Sequence, residues 1–158
     1  MIQKLLDQQR NRVGQLDLAA DTGLHVLELV QSLGGELSID PDRVYLTGES
    51  MGGFGTWEFT TRWPETWAAG VPMAGFSDRT KVNRILSIPF WVFHGDKDDM
   101  VPVERSRTMV EAVKKAGGEL MNYSELAGEG HGITGVVYPR SDLHEWIFKQ
   151  KKASLTSN

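Results

Sequence analysis

Residues 44–55 read VYLTGESMGGFG, a stretch that contains the pattern G-x-S-x-G. The run before the pattern, Val44 to Thr47, is rich in β-formers and predicts a short buried strand ended by Gly48. Aromatic residues at helical spacing after the pattern predict a helix from about Ser50 to just before Pro64. A sharp turn between a strand and a helix holds the central serine hydroxyl exposed above a sheet, so Ser50 is a candidate nucleophile.

Strands and helices alternate along the rest of the chain. Further strands are predicted at Ala68–Ala74, Phe90–Phe93 and Leu120–Leu126, and further helices at residues 16–33, Val103–Ala116 and Asp142–Lys151. Residues 76–88 are expected to form a polar connector. This alternation predicts an α/β fold in which a mostly parallel sheet of about four strands is flanked by helices.

Glycines are expected to shape two of these helices. Gly34-Gly35 should end the first helix, because glycine is a typical C-terminal stop. Gly53 and Gly55 should let the helix after Ser50 approach the neighbouring strand closely.

Composition narrows the class of protein. The chain has 158 residues and no cysteine, and its formal net charge is −4. One domain is expected over residues 1–158, with a helical N-terminal segment at 1–35 and a catalytic core at 36–150. The charge gives no basic surface for nucleic acid, and no stretch has the length of a signal peptide core or a membrane span. We therefore expect a cytoplasmic protein with no nucleic-acid or membrane partner and with no metal or other cofactor.

A serine hydroxyl needs a neighbouring base, which is usually a histidine held by a carboxylate. Two of the four histidines, His25 and His144, lie in predicted helices, and His94 ends a strand where it is expected to support a loop. His131 lies in the glycine-rich loop 128–132, after the fourth predicted strand. An imidazole in that loop can reach across the carboxyl edge of the sheet, so His131 is predicted to be the base.

The partner carboxylate is expected from the loop after the third strand. Asp96, Asp98 and Asp99 all lie there, and position alone leaves all three open. A metal-binding loop is the competing interpretation, but the glycine and the distal glutamate of a calcium loop are missing. The chain order of serine, acid and histidine is the one expected in α/β-hydrolases and differs from the two common orders in serine proteases.

Five segments carry a family resemblance: residues 42–53, 55–57, 94–98, 101–102 and 130–131. They resemble the phospholipase/carboxylesterase and dienelactone-hydrolase branch of the α/β-hydrolases, especially its feruloyl-esterase-like and polyhydroxybutyrate-depolymerase-like esterases. The resemblance covers residues 36–150. It implies a fold whose sheet is larger than the one predicted above.

The resemblance also implies the roles of individual residues. The nucleophile falls on Ser50 and the base on His131. The acid is the fourth residue after the histidine of the pattern H-G-x-x-D, which is Asp98 in this sequence, with Asp99 as the fallback. One oxyanion-hole amide is implied at Met51, the residue after the nucleophile.

The resemblance is incomplete ahead of the nucleophile. Family members carry about four strands before the nucleophile and take a second oxyanion amide from a loop among them. Here the residues before Val44 look helical instead. We expect a chain truncated on its N-terminal side, with one oxyanion donor retained and one absent.

A truncated sheet would leave the strand at 44–47 as an apolar edge. Exposed edges recruit other strands. A homodimer or higher homo-oligomer that covers this edge is therefore expected, with help from Ile2, Leu5 and Leu6.

Carboxylic ester hydrolysis is the function that these residues favour. The connector after the second strand is too short for a lid domain, so the expected substrates are short-chain or accessible esters. A truncated and catalytically silent form that acts as an interaction module is one alternative. Peptidase or thioesterase action by the same three residues is another.

Overall fold

The computed structural model describes residues 22–152, and the chain divides into two compact units at Pro41/Asp42. The described part of the first unit contains helix α1 (Thr22–Glu36). The predicted helix is confirmed from Thr22 onward, whereas residues 16–21, Ile2, Leu5 and Leu6 lie outside the described residues. None of the helices in the described chain combines the length and the hydropathy needed to cross a lipid bilayer.

The expected stop at Gly34-Gly35 is wrong. The helix α1 runs through both glycines, and the N–H of Leu37 still donates to the carbonyl of Leu33 at 2.8 Å. A glycine that ends a helix takes a positive φ, and neither of these glycines has one.

The second unit is a parallel sheet with helices in the connections. Its strands are β1 (Tyr45–Glu49), β2 (Ala69–Met73), β3 (Phe90–Gly95) and β4 (Met121–Leu126). Its helices are α2 (Met51–Arg62), α3 (Glu104–Lys115), α4 (Thr134–Val137) and α5 (Ser141–Ile147), with a 3₁₀ helix at Arg79–Arg84. The strands lie in the order β1-β2-β3-β4, and every neighbouring pair is parallel. The α/β fold with a parallel sheet of four strands is therefore confirmed.

Most predicted elements lie where expected, but two ends differ. The strand β1 continues through Gly48, because Glu49 still pairs with Met73 of β2. The helix α5 ends at Ile147 instead of Lys151. The chain leaves the helix there, and the N–H of Lys152 donates to the carbonyl of Asp42 at 3.0 Å, next to the start of β1.

The core lies on both faces of the sheet, because side chains alternate along each strand. Val92 of β3 packs in the cluster that includes Trp57 of α2 and Val113 of α3. Phe93 packs in a second cluster, which includes Ile133 and Leu143. The two central strands, β2 and β3, are thus buried between helices, as the strands of parallel sheets usually are.

The prediction that residues 76–88 form a polar connector is wrong in part. Val82, Ile85 and Ile88 are buried and belong to the core cluster on the α2 and α3 side. The 3₁₀ turn explains this placement, because side chains three residues apart lie above one another. The connector therefore contributes to the core beneath its polar surface.

The close approach of α2 to the sheet depends on one glycine. A Cβ atom on Gly53 would lie 2.3 Å from the carbonyl oxygen of Met73, which is backbone and cannot move away cheaply. A Cβ atom on Gly55 would meet nothing within 4 Å. The expectation is confirmed for Gly53 and is wrong for Gly55, because Gly55 lies on a part of the helix that the sheet does not touch.

Candidate active site

Ser50 occupies the turn between β1 and α2. Its backbone has φ 54° and ψ −116°, a conformation that side-chain-bearing residues rarely adopt. Its N–H donates to the carbonyl of Met73 at 3.0 Å, and its carbonyl accepts from Phe54 at 2.9 Å. The hydroxyl makes no capping hydrogen bond to the helix that follows. The turn therefore holds the Ser50 side chain in place without using its hydroxyl.

The sharpness of this turn requires a glycine before the serine. A Cβ atom on Gly48 would lie 2.6 Å from the backbone of Gly52. Gly48 and Gly52, the two glycines of the pattern, thus face each other across the turn. This contact is the physical reason for the G-x-S-x-G spacing in this chain.

Met51 is the first residue of α2 and is 82% exposed. The first N–H groups of a helix have no acceptor within the helix. The Met51 amide, next to the nucleophile candidate, is therefore a hydrogen-bond donor that an anionic oxygen can use.

Asp98 lies in the loop after β3, with a side chain that is fully buried. One carboxylate oxygen, Oδ1, accepts from the backbone N–H of Met100 at 2.9 Å and of Val101 at 2.8 Å. The other, Oδ2, lies 2.8 Å from His131 Nδ1 and 3.1 Å from His94 Nε2. Burial raises the pKa of Asp98, but the hydrogen bonds from Val101, His131 and Met100 outweigh it and hold the pKa below its ordinary value.

His94 supports the Asp98 loop, as the sequence predicts. It is fully buried at the end of β3, and its Nε2 lies 2.9 Å from the carbonyl oxygen of Val101 as well as near Asp98. Both neighbours of Nε2 accept hydrogen bonds, so this nitrogen carries a proton. Its Nδ1 lies 2.7 Å from the hydroxyl of Ser106 on α3. Ser106 has no pattern around it in the sequence, and its role depends on a contact between two elements.

His131 lies in the loop after β4, with its side chain 17% exposed. The loop is held against the end of β3: the N–H of Lys97 donates to the carbonyl of Glu129 at 2.9 Å, and the N–H of Gly128 donates to Asp96 Oδ1 at 2.7 Å. Asp96 therefore binds the histidine loop instead of the imidazole. Of the three aspartates, Asp98 is the one that contacts His131.

The exposed Asp99 makes no hydrogen bond to His131 among the contacts of the described residues. Ser50, Asp98 and His131 follow β1, β3 and β4. Because these strands are parallel, the three residues lie at the same carboxyl edge of the sheet. The described chain contains no cluster of three or more His, Asp or Glu side chains that could hold a metal ion.

Glu49 is a site residue that sequence reasoning missed. Its carboxylate Oε1 accepts hydrogen bonds from the backbone N–H of Ile133 and, at 3.1 Å, of Thr134. These two residues follow the histidine loop. The only signal in the sequence is an acidic residue inside the G-x-S-x-G pattern, and the pattern permits any residue there.

A family sequence model identifies the family of this chain. The sequence model of the prolyl oligopeptidase family matches residues 11–90, which is half of the chain. The chain belongs to the prolyl oligopeptidase family. The matched segment includes the strand β1, the turn at Ser50 and the helix α2.

Esterases are among the relatives of this prolyl oligopeptidase family chain. It is 37% identical over 60 residues to Esterase LipC of Mycobacterium tuberculosis, a match that covers 37% of the chain and 15% of the relative. It is 44% identical over 55 residues to Esterase LipQ of the same organism, which covers 35% of the chain and 13% of the relative.

A solved structure extends the similarity to the whole core. The crystal structure of a thermostable esterase superposes with a TM-score of 0.78 and 39% identity, over 82% of this chain and 36% of that one. The predicted resemblance to α/β-hydrolase esterases is thereby confirmed. The chain spans about a third of the solved esterase and about a seventh of the two curated relatives.

Proposed function

We propose that this protein is a serine hydrolase that cleaves carboxylic esters by acyl transfer. The observation that carries the proposal is the contact of 2.8 Å between His131 Nδ1 and the buried Asp98 carboxylate, at the sheet edge where the strained turn presents Ser50. The esterase relatives support the choice of esters over other acyl compounds.

The proposed reaction uses the three residues in sequence. Ser50 Oγ attacks the ester carbonyl carbon while His131 Nε2 takes the hydroxyl proton. Asp98 keeps a proton on Nδ1 and stabilises the imidazolium that forms. The C–O bond then breaks, and the alcohol leaves with the proton from His131. Water then attacks the acyl-enzyme while His131 takes its proton; the bond between the acyl group and Ser50 Oγ breaks, the acid leaves, and Oγ recovers a proton from His131.

The oxyanion of each tetrahedral intermediate is assigned to the Met51 amide in this proposal. A second donor is not assigned among residues 22–152. Loss of one oxyanion donor typically lowers kcat about 100- to 1000-fold. We therefore expect slow ester turnover where the Met51 amide is the one donor to the oxyanion.

The exposure of residues around the candidate site favours small or protruding esters as substrates. Met51, next to the proposed nucleophile, is 82% exposed, and Met100, near Asp98 in sequence, is 70% exposed. The connector at residues 76–88 packs Val82, Ile85 and Ile88 into the core. An open site accommodates short acyl groups or exposed ester ends, while it buries little of a long acyl chain.

Hydrolysis of p-nitrophenyl acetate and butyrate tests the proposal. The parent chain is compared with Ser50→Ala, His131→Ala and, as a matched control, His144→Ala, since His144 is an exposed histidine on α5. The parent and the control should turn over, and the other two variants should fall to background. Equal rates in all four proteins, or no turnover in any of them, would contradict the proposal, and inactivity throughout would favour the silent interaction module.

Peptide hydrolysis is the second candidate, because the matching family is named for peptidases. The same acyl-transfer steps cleave an amide, with an amine as the leaving group. Aminoacyl p-nitroanilides compared with p-nitrophenyl esters of the same acyl group separate the two functions. The ester proposal predicts turnover of the esters alone. Cleavage of the anilides that disappears in Ser50→Ala would favour the peptidase.

A further inference from the structure

Glu49 connects the nucleophile turn to the histidine loop. It is the last residue of β1 and the neighbour of Ser50 in sequence. Its Oε1 accepts the backbone N–H groups of Ile133 and Thr134, which are 84 and 85 residues away along the chain. One carboxylate oxygen thus links the residue next to the nucleophile candidate to the segment two residues after His131.

The hydrogen bonds to Glu49 satisfy backbone N–H groups at the start of the short helix α4. The residue before the helix, Ile133, has no polar side-chain atom and makes no capping bond. The N–H groups at a helix start have no acceptor within the helix. Glu49 provides that acceptor from the neighbouring strand, so the start of α4 is bound to the end of β1.

His131 is consequently held by two separate contacts. The Asp98 carboxylate binds its ring at Nδ1. Two residues later, the side chain of Ile133 is fully buried in the core, and its N–H is bound to Glu49. The first contact orients the imidazole, while the second fixes the loop that carries it relative to Ser50.

We propose that Glu49 is a positioning residue for His131, which sets the distance between the imidazole and the Ser50 hydroxyl. The inference rests on the proposed acyl-transfer function. Glu49 acts through the backbone of Ile133 and Thr134, whose N–H groups donate to its carboxylate. Its loss should therefore lower kcat and leave KM unchanged. Misplacement of a catalytic group by about 1 Å can cost about 100-fold in rate.

Three substitutions of Glu49 separate the effect of its hydrogen bonds from the effects of its charge and of its side-chain length. Glu49→Gln keeps an acceptor oxygen at the same distance and should retain kcat within about threefold, whereas Glu49→Ala should lose about 10- to 100-fold. Glu49→Asp keeps the charge, but its oxygen is one methylene too short to reach both N–H groups. Glu119→Ala, at an exposed position before β4, is the matched control and should leave kcat unchanged.

The ranking of kcat among the variants tests the proposal that Glu49 positions His131. Hydrolysis of p-nitrophenyl acetate should rank the parent and Glu49→Gln above Glu49→Asp and Glu49→Ala, with a common KM. If Glu49→Ala does not fold, the order of Glu49→Gln above Glu49→Asp is the test. Parental kcat in Glu49→Ala or Glu49→Asp, or a change confined to KM, would overturn the proposal.

Amide hydrogen exchange tests the contact without any activity. In the Ser50→Ala background, exchange at the N–H groups of Ile133 and Thr134 should accelerate in Glu49→Ala and stay slow in Glu49→Gln. Unchanged exchange in Glu49→Ala would overturn the contact itself. Accelerated exchange together with esterase turnover that persists in Ser50→Ala would instead place the failure in the proposed function.

Discussion

At the scale of single residues, the backbone conformation of Ser50 is the most informative feature. Its positive φ is a region that favours glycine, and such strain costs about 1–3 kcal/mol and persists only where the surroundings impose it. Here the bond from Ser50 N–H to Met73 and the packing of Gly48 against Gly52 impose it. Serine at a position suited to glycine costs stability, which is consistent with the proposed role of its hydroxyl.

Replacement of Ser50 should show this strain directly. Ser50→Gly removes the steric cost of the side chain, while Ser50→Ala keeps it and removes only the hydroxyl. We expect Ser50→Gly to be more stable than Ser50→Ala by about 1 kcal/mol, as measured by chemical denaturation. Equal stability of the two variants would show that the turn stores no strain at this residue.

The Asp98 carboxylate should make stability depend on pH. Its pKa is lowered from an ordinary value of 3.8, so the ionised form stabilises the fold. The stabilisation should be complete above about pH 5 and should decline as the pH falls through the lowered pKa. Comparison of the parent with Asp98→Asn by urea denaturation at several pH values measures it, with the exposed Asp99→Asn as the control. A difference that grows below pH 4 would contradict the lowered pKa.

At the scale of elements, the strands could be predicted and several connections could not. Phe90–Phe93 is a continuous apolar run, and a strand that is buried on both faces leaves that signature in sequence. The connector around Val82 has no such run, because a 3₁₀ turn presents one buried residue in three. The four-residue helix α4 spans about one turn, too short to show a repeating pattern, and depends on an acceptor, Glu49, from a distant strand.

Contacts between distant elements also limit how much of the candidate site can be predicted from the sequence. Ser50 and His131 lie in local patterns of glycines, so their sequence neighbours identify them as candidates. The contacts of Asp98 with His131 and of Ser106 with His94 join different elements and leave no local trace. Position alone did not separate Asp98 from Asp99, and the separation came from the resemblance to a family.

The contact between α2 and β2 gives a prediction at the scale of elements. Gly53→Ala places a Cβ atom 2.3 Å from the carbonyl oxygen of Met73, so the helix must shift. We expect a loss of about 1–3 kcal/mol in the free energy of unfolding. Gly55→Ala has free space and should gain about 0.5–1 kcal/mol through helix propensity. Equal effects of the two substitutions in thermal denaturation would contradict the close contact.

At the scale of the whole molecule, β1 is an edge strand in the described sheet. Assembly through this edge into a homodimer or higher homo-oligomer stays a prediction from the sequence. Multi-angle light scattering at micromolar concentration should give a mass at least twice the 17.6 kDa of the chain. A monodisperse species of 17.6 kDa would contradict the prediction.

Covalent capture of Ser50 tests the central claim most directly. A fluorophosphonate reacts with an activated serine: the Oγ–P bond forms, fluoride leaves, and the adduct is measured by mass spectrometry without any need for turnover. We predict one adduct, located on Ser50 by peptide mapping and lost in His131→Ala, while His144→Ala keeps it. An unlabelled parent, or labelling of Ser50 at an unchanged rate in His131→Ala, would contradict the claim that Ser50 is a nucleophile activated by His131.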